Sequence, residues 1–242
     1  MKKITRITAA LTTISLTISI GACATTATQT TNKTSFMISE AQFESLFPKR
    51  IPFYTYAGLV EATKAYPEFG NFGSEADNKR EVAAFLANIM HESIELTAIN
   101  EIDTSVHDHY CNDKEGVPCA KGKQYFGRGP IQLSWNFNYA LAGKALGLDL
   151  LNDPDMVARN PTVAWKTALW YWMEIKGSGP LPSHIALKQG LGFGETVRSI
   201  NGGLECSKPS DNIGYKQQQM RIKNYLKITE LLKVKPGNYT AC

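Results

Sequence analysis

The stretch from Ser74 to Glu92, SEADNKREVAAFLANIMHE, constrains the fold of this chain most. Ser74-Glu75-Ala76-Asp77 has the pattern of a helix N-terminal box. Val82, Phe85, Leu86, Ile89 and Met90 then recur at helical spacing up to His91-Glu92. Similar signals predict further helices. Ser39 can cap a short one carrying Ala41, Phe43, Leu46 and Phe47. Thr55 to Tyr66 gives a second, and Ser134 to Leu146 another that stops at Gly147. Trp165, Leu169 and Trp172 mark a buried helix after Asn160-Pro161, followed by helices over 193–200 and 212–232. Strand signals are few, with Lys123 to Leu133 the best hairpin candidate. The pattern predicts an α+β class, predominantly α-helical, and not a βαβ fold.

The N-terminus reads as a leader. Lys2, Lys3 and Arg6 precede a mostly apolar and Thr/Ser run from Ile7 to Gly21, as in an export signal. Its exit, Ile20-Gly21-Ala22-Cys23, resembles a bacterial lipobox cut before a cysteine that is then acylated; Ala22-Cys23-Ala24 also fits an ordinary A-x-A cleavage. The expected organisation is a lipoprotein-type signal peptide over 1–22, a Thr-rich tether over 23–35 and one catalytic domain over 36–242. Export implies an oxidising compartment. Of the five cysteines, Cys111, Cys119, Cys206 and Cys242 can pair completely, which leaves Cys23 for lipidation. The expected place is therefore the bacterial envelope, anchored only through Cys23, or else the secreted fraction. No other stretch is long and apolar enough to predict a membrane span. Loss of Lys2, Lys3 and Arg6 with the leader takes the net charge from +4 to +1, which removes any electrostatic case for nucleic acid.

The run QYFGRGPIQLSWNFNY, Gln124 to Tyr139, joins five aromatic residues to Gln132, Asn136, Asn138 and Ser134 around a Gly-Arg-Gly-Pro turn. Rings that stack on sugar faces, beside amides that bond hydroxyls and acetamides, suit a polysaccharide groove. The same composition also fits an aromatic core hairpin leading into a helix. Two acids upstream bear on the choice. Glu92 ends the apolar helix, where burial favours a protonated, proton-donating carboxyl, and Glu101 follows in an irregular segment open to water, where it can act as a base. Two acids in unlike environments are what glycoside hydrolysis needs.

Beyond these residues, the chain resembles the family 19 glycoside hydrolases, the chitinases, and among them the short bacterial members. The matching segments are AAFLANIMHES (83–93), the whole of 124–161, AWKTALWYWM (164–173) and FGETVRSINGGLEC (193–206). The resemblance implies a lysozyme-like, two-lobed fold with a small β-hairpin region and a central substrate cleft. It implies Glu92 as general acid, Glu101 as general base, and Ser134 as a holder of the attacking water. It places Gln132, Asn138, Lys166, Asn201 and Arg221 along the sugar cleft, with Tyr125 as an aromatic of its wall and Phe137 where a Tyr is common. It pairs Cys111 with Cys119 and Cys206 with Cys242. No metal or organic cofactor is implied, the partner is the polysaccharide substrate, and a monomer is expected. One departure concerns the segment after the acid, where Ile94-Glu95-Leu96 replaces glycines usual in the family; a helical Glu95 would sit close to Glu92.

His107-Asp108-His109-Tyr110-Cys111 is too loosely spaced for a metal site, and Cys111 is a disulfide candidate. Glu205 is expected to partner an Arg or Lys, Arg128 to brace its turn, and Trp165, Trp170 and Trp172 to fill the core. Three functions compete: an endo-acting chitinase working with inversion, a peptidoglycan-cleaving relative of the same family, and a glycan-binding lipoprotein whose catalysis has lapsed.

Overall fold

The structure, a computed structural model, describes residues 36–113 and 116–242. The leader, the tether and Cys23 lie outside the described residues. The described part is mostly helical: α1 Glu40–Leu46, α2 Tyr56–Thr63, α3 Glu75–Glu92, a 3₁₀ turn Thr104–His109, α4 Asn136–Leu146, α5 Met156–Arg159, α6 Pro161–Glu174, α7 Ser183–Lys188, α8 Phe193–Glu205 and α9 Ile213–Leu231. Local chemistry fixes many of the ends. Ser39 and Ser74 each form a full capping box, with Gln42 and Asp77 answering back. Thr55, Asn160 and Asn212 cap α2, α6 and α9 through their side chains. Gly147 closes α4 in the left-handed conformation.

α3 is the axis of the domain. Every residue from Glu81 to Met90 is buried, and the helix packs against α7, α8 and α9. α6 packs on α2 and sinks Trp165, Trp170 and Trp172 into the same core. Phe85 meets Trp172 edge-on at 5.5 Å and Tyr54 meets Trp165 at 5.8 Å. Glu81, fully buried on α3, accepts from the Gly70 N–H (2.7 Å), the Trp172 indole (3.0 Å) and His184 Nδ1 (2.6 Å). A buried carboxylate is tolerated there because its acceptor capacity is met by three donors.

The expected hairpin over 123–133 does not form, and no strand occurs among the described residues. The segment is a tight turn closed by one antiparallel bridge, Arg128 to Leu133, with a second bridge from Asn100 to Arg128. The Gly-Arg-Gly-Pro sequence explains this. Gly129 and Gln132 both have positive φ and Pro130 has no N–H to give a ladder. Arg128 braces the turn as expected, donating to the carbonyls of Gln124 and Phe126, to the Tyr139 hydroxyl and to Asp155. Cys111 pairs with Cys119 and Cys206 with Cys242.

Candidate active site

Glu92 occupies the last position of α3, with its side chain 17% exposed. Its surroundings differ from the apolar setting expected of it. Arg221, carried by α9 and fully buried, ion-pairs with Glu92. The same guanidinium forks onto Glu205 of α8 at 2.8 and 2.7 Å and reaches Asn88 Oδ1 at 3.1 Å. Arg221 therefore lies behind Glu92 and has no surface to offer a sugar, which corrects its placement along the cleft. Glu205 is the partner of an arginine, as its position beside Cys206 foretold. Asn201 interrupts α8 with non-helical angles and donates to Glu205 at 2.9 Å. One guanidinium thus serves two carboxylates. Glu92 is the most exposed of the three.

Two further side chains frame Glu92, and neither stood out in the sequence. Burial, and then the charge of Glu92, push the Tyr171 hydroxyl up to about 12, so it stays protonated at ordinary pH. His91 is held below its usual value, first by burial and then by Arg221. Both signals come from neighbours that only the folded chain assembles.

The residues after α3 change direction abruptly. Ile94, Glu95 and Leu96 all have positive φ (50°, 57° and 63°), so Glu95 is not a helical neighbour of Glu92. The chain then runs to Glu101, which is half-buried and less open to water than expected. Its backbone N–H donates to the Gly127 carbonyl at 2.8 Å. Its carboxylate accepts from the Tyr110 hydroxyl at 2.9 Å and from the Gly127 N–H at 3.3 Å. Burial and the Glu101 charge raise Tyr110 to about 12, which keeps it a donor. Tyr110 is the neutral anchor of Glu101; in the sequence it stood out only as a neighbour of two histidines and a cysteine.

The turn that follows Gln124 meets Glu101 at Gly127. Gln132 donates through its amide to the Ile99 and Gly129 carbonyls at 3.2 and 3.0 Å, tying the turn to the strip that bears Glu101. Gly127 packs tightly against Gln132, since a Cβ there would lie 2.8 Å from Gln132 Oε1 and that amide would have to move. Ser134 is half-buried, and its carbonyl accepts from Asn138 Nδ2 at 2.9 Å. Phe137 remains partly exposed and stacks near-parallel with Trp135 at 6.0 Å. Lys166 is half-buried on α6, without an ion-pair partner among the described residues. Tyr125 is corrected: it is 1% exposed, and its hydroxyl bonds the Ala120 N–H and the Leu151 carbonyl. It supports the wall from inside and offers no face to a sugar. Among the described residues, the grouping with metal-like spacing is Cys111, Asp113 and Cys119, but its two sulfurs are joined to each other. That leaves no thiolate to ligate.

Comparison with known proteins gives the class and the family. The glycoside hydrolase family 19 model, described as chitinase class I, matches residues 37–242. An acidic endochitinase of Dioscorea japonica is 44% identical over 190 residues, covering 78% of this chain and 72% of that protein. The crystal structure of a bacterial family 19 chitinase is 51% identical, with a TM-score of 0.81 over 86% of this chain and all of that one. Chitinase C from Streptomyces griseus is 45% identical, with a TM-score of 0.78 over 86% and 81%. The chain belongs to glycoside hydrolase family 19 and is a chitin-cleaving enzyme with lysozyme-like structural neighbours.

Proposed function

We propose that residues 36–242 cleave β-1,4 bonds within chitin by single displacement with inversion, in a cleft between two lobes. Glu92 protonates the leaving oxygen while Glu101, with Ser134, directs water at the opposite face of the anomeric carbon. Inversion requires the two carboxyls to stand about 6.5–9.5 Å apart, leaving room for that water. The observation that carries the reading is the unlike tethering of the acids. Glu92 shares one buried guanidinium with Glu205. Glu101 is held by neutral donors, the Tyr110 hydroxyl and the Gly127 N–H. Asn138, Lys166, Asn201, Gln132 and Phe137 are assigned to sugar recognition, with Gln132 acting through the turn it ties.

Product analysis on chitin hexamer is the test. The α-anomer should appear first, and Glu92→Gln should lower turnover at least about 100-fold while binding persists. Initial release of the β-anomer would overturn inversion. Reducing ends from murein alone would favour the peptidoglycan reading, and binding without turnover the lapsed one.

The leader and Cys23 support export by a bacterial cell and a lipid anchor, with the catalytic part acting as a monomer. Incorporation of labelled fatty acid that disappears in Cys23→Ser would establish the anchor.

A further inference from the structure

The 3₁₀ turn Thr104–His109 buries no residue of its own, yet it and the residue that caps it hold Glu101 at two points. One is the bond from the Tyr110 hydroxyl to the carboxylate. The other is His107, whose Nε2 lies 3.1 Å from the Glu101 carbonyl oxygen. A carbonyl oxygen only accepts, so Nε2 carries the hydrogen and donates it. Glu101 is therefore fixed along its main chain as well as at its carboxylate. Its N–H donates to the Gly127 carbonyl at 2.8 Å, and its own carbonyl accepts from His107. Glu101 belongs to no helix, so these bonds do the work that a helical ladder does elsewhere.

The imidazole is itself held from behind. It stacks on Phe126, with 3.7 Å between ring centroids and 13° between planes. The Arg128 guanidinium lies over the same phenyl ring at 3.6 Å. Two planar groups that near one ring centre can only occupy opposite faces, so Phe126 is sandwiched between them. Arg128 is buried and tied to the Gln124 carbonyl, the Tyr139 hydroxyl and Asp155, which stiffens the far side of the sandwich. On the near side, Asp103 caps the turn by accepting from the Ser105 N–H at 3.0 Å, and Asp108 accepts from Gln124 Nε2 at 2.6 Å. The turn bearing His107 is thus pinned to the segment bearing Gly127. Packing on Phe126 requires no particular orientation of the ring nitrogens, yet one of them meets the carbonyl of Glu101.

We propose that His107 is a positioning residue for the hydrolysis, on the reading that Glu101 is the base: its Nε2–H fixes the Glu101 peptide and with it the aim of the carboxylate. Without that bond the peptide after Glu101 is free to turn, while Tyr110 and Gly127 still hold the carboxylate. Aim is then loosened without being lost, and a base displaced by a fraction of an ångström takes the proton from water less often. His107 acts through Glu101, so its loss belongs in kcat and not in substrate binding.

The experiment measures kcat, KM and melting temperature on chitin hexamer for two variants. His107→Phe keeps a flat ring for the stack and removes the donor. It should lower kcat about three- to tenfold, the scale of one hydrogen bond, with KM unchanged and the melting temperature within about 3 °C of wild type. His107→Gln places an amide N–H near the same point and should restore kcat to within about twofold. Wild-type kcat in His107→Phe would overturn the proposal. So would a loss confined to KM, or a kcat as low in His107→Gln as in His107→Phe, since then the ring and not its N–H is what matters. Glu101→Gln tests the underlying reading with His107 intact. Full activity there would remove the base itself, whereas an inactive Glu101→Gln beside an unimpaired His107→Phe would sink only the role of His107.

Discussion

Arg221 carries one charge and faces two carboxylates inside the protein, and that imbalance governs the residues around it. Truncation to Arg221→Met leaves Glu205 buried and unpaired, a change that should cost about 3–5 kcal/mol in urea unfolding. A loss below about 1 kcal/mol would mean that the Arg221–Glu205 pair contributes little to stability. Arg221→Lys should also fall short, because one ammonium cannot reproduce the fork onto Glu205. On the other acid, Tyr110→Phe deletes one neutral donor to Glu101. We expect kcat to fall about three- to tenfold with the melting temperature nearly unchanged; an unaltered kcat would leave Tyr110 without a role in aiming the base. Neither pair can be seen along the chain. Glu92 and Arg221 are 129 residues apart, and Tyr110 reaches Glu101 across a loop whose sequence reads equally well as irregular surface.

At the scale of elements, the meeting of α3, α8 and α9 decides where Glu92, the proposed proton donor, points. α9 starts against the end of α8, so closely that a Cβ on Gly214 would lie 1.9 Å from the Leu204 carbonyl oxygen. Gly214→Ala should therefore destabilise by about 1–3 kcal/mol. It should also lower activity by displacing the helix that carries Arg221; a change in neither would show that the helices have room to spare. The last turn of α3 adds a pH dependence. His91 takes up a proton near 6.5 when unfolded but resists it in the folded protein. The unfolded state then binds more protons below that pH, so stability falls as pH drops from about 6.5 and is flat above it. His91→Asn should flatten the melting temperature between pH 7 and 5 relative to wild type; an identical slope would clear His91 of the effect. Sequence periodicity located α3 and α6, whose apolar positions recur at helical spacing, while the helix expected over 193–200 runs on to Glu205. It passed over α5 and α7, of four and six residues, which are too short to show a period.

Across the whole domain, the C-terminal strip is bound back onto α8. Gly194 N–H donates to the Tyr239 carbonyl at 2.9 Å, and a Cβ on Gly194 would lie 2.1 Å from the Ala241 carbonyl oxygen. The Cys206–Cys242 bridge locks that strip beside the cap of α8, across a separation of 36 residues. Replacing both cysteines with serine should cost roughly 3–4 kcal/mol in the loop-entropy view. Since Glu205 adjoins Cys206, catalytic turnover should fall with it. Equal stability in the reduced and oxidised protein would show that packing alone holds the strip.

Sequence alone determined the features that depend on near neighbours. The boxes at Ser39 and Ser74, the stop at Gly147, the tryptophan face of α6 and the need for a turn at Gly127-Arg128-Gly129 are all set within a few residues by backbone preference and side-chain period. Tertiary structure decided which groups share charge and which surfaces remain open. It turned the expected hairpin into a single bridged turn, buried Tyr125, withdrew Arg221 behind Glu92 and set Tyr110 on Glu101. Those outcomes depend on solvent exclusion and on contacts between distant helices, which no local pattern encodes.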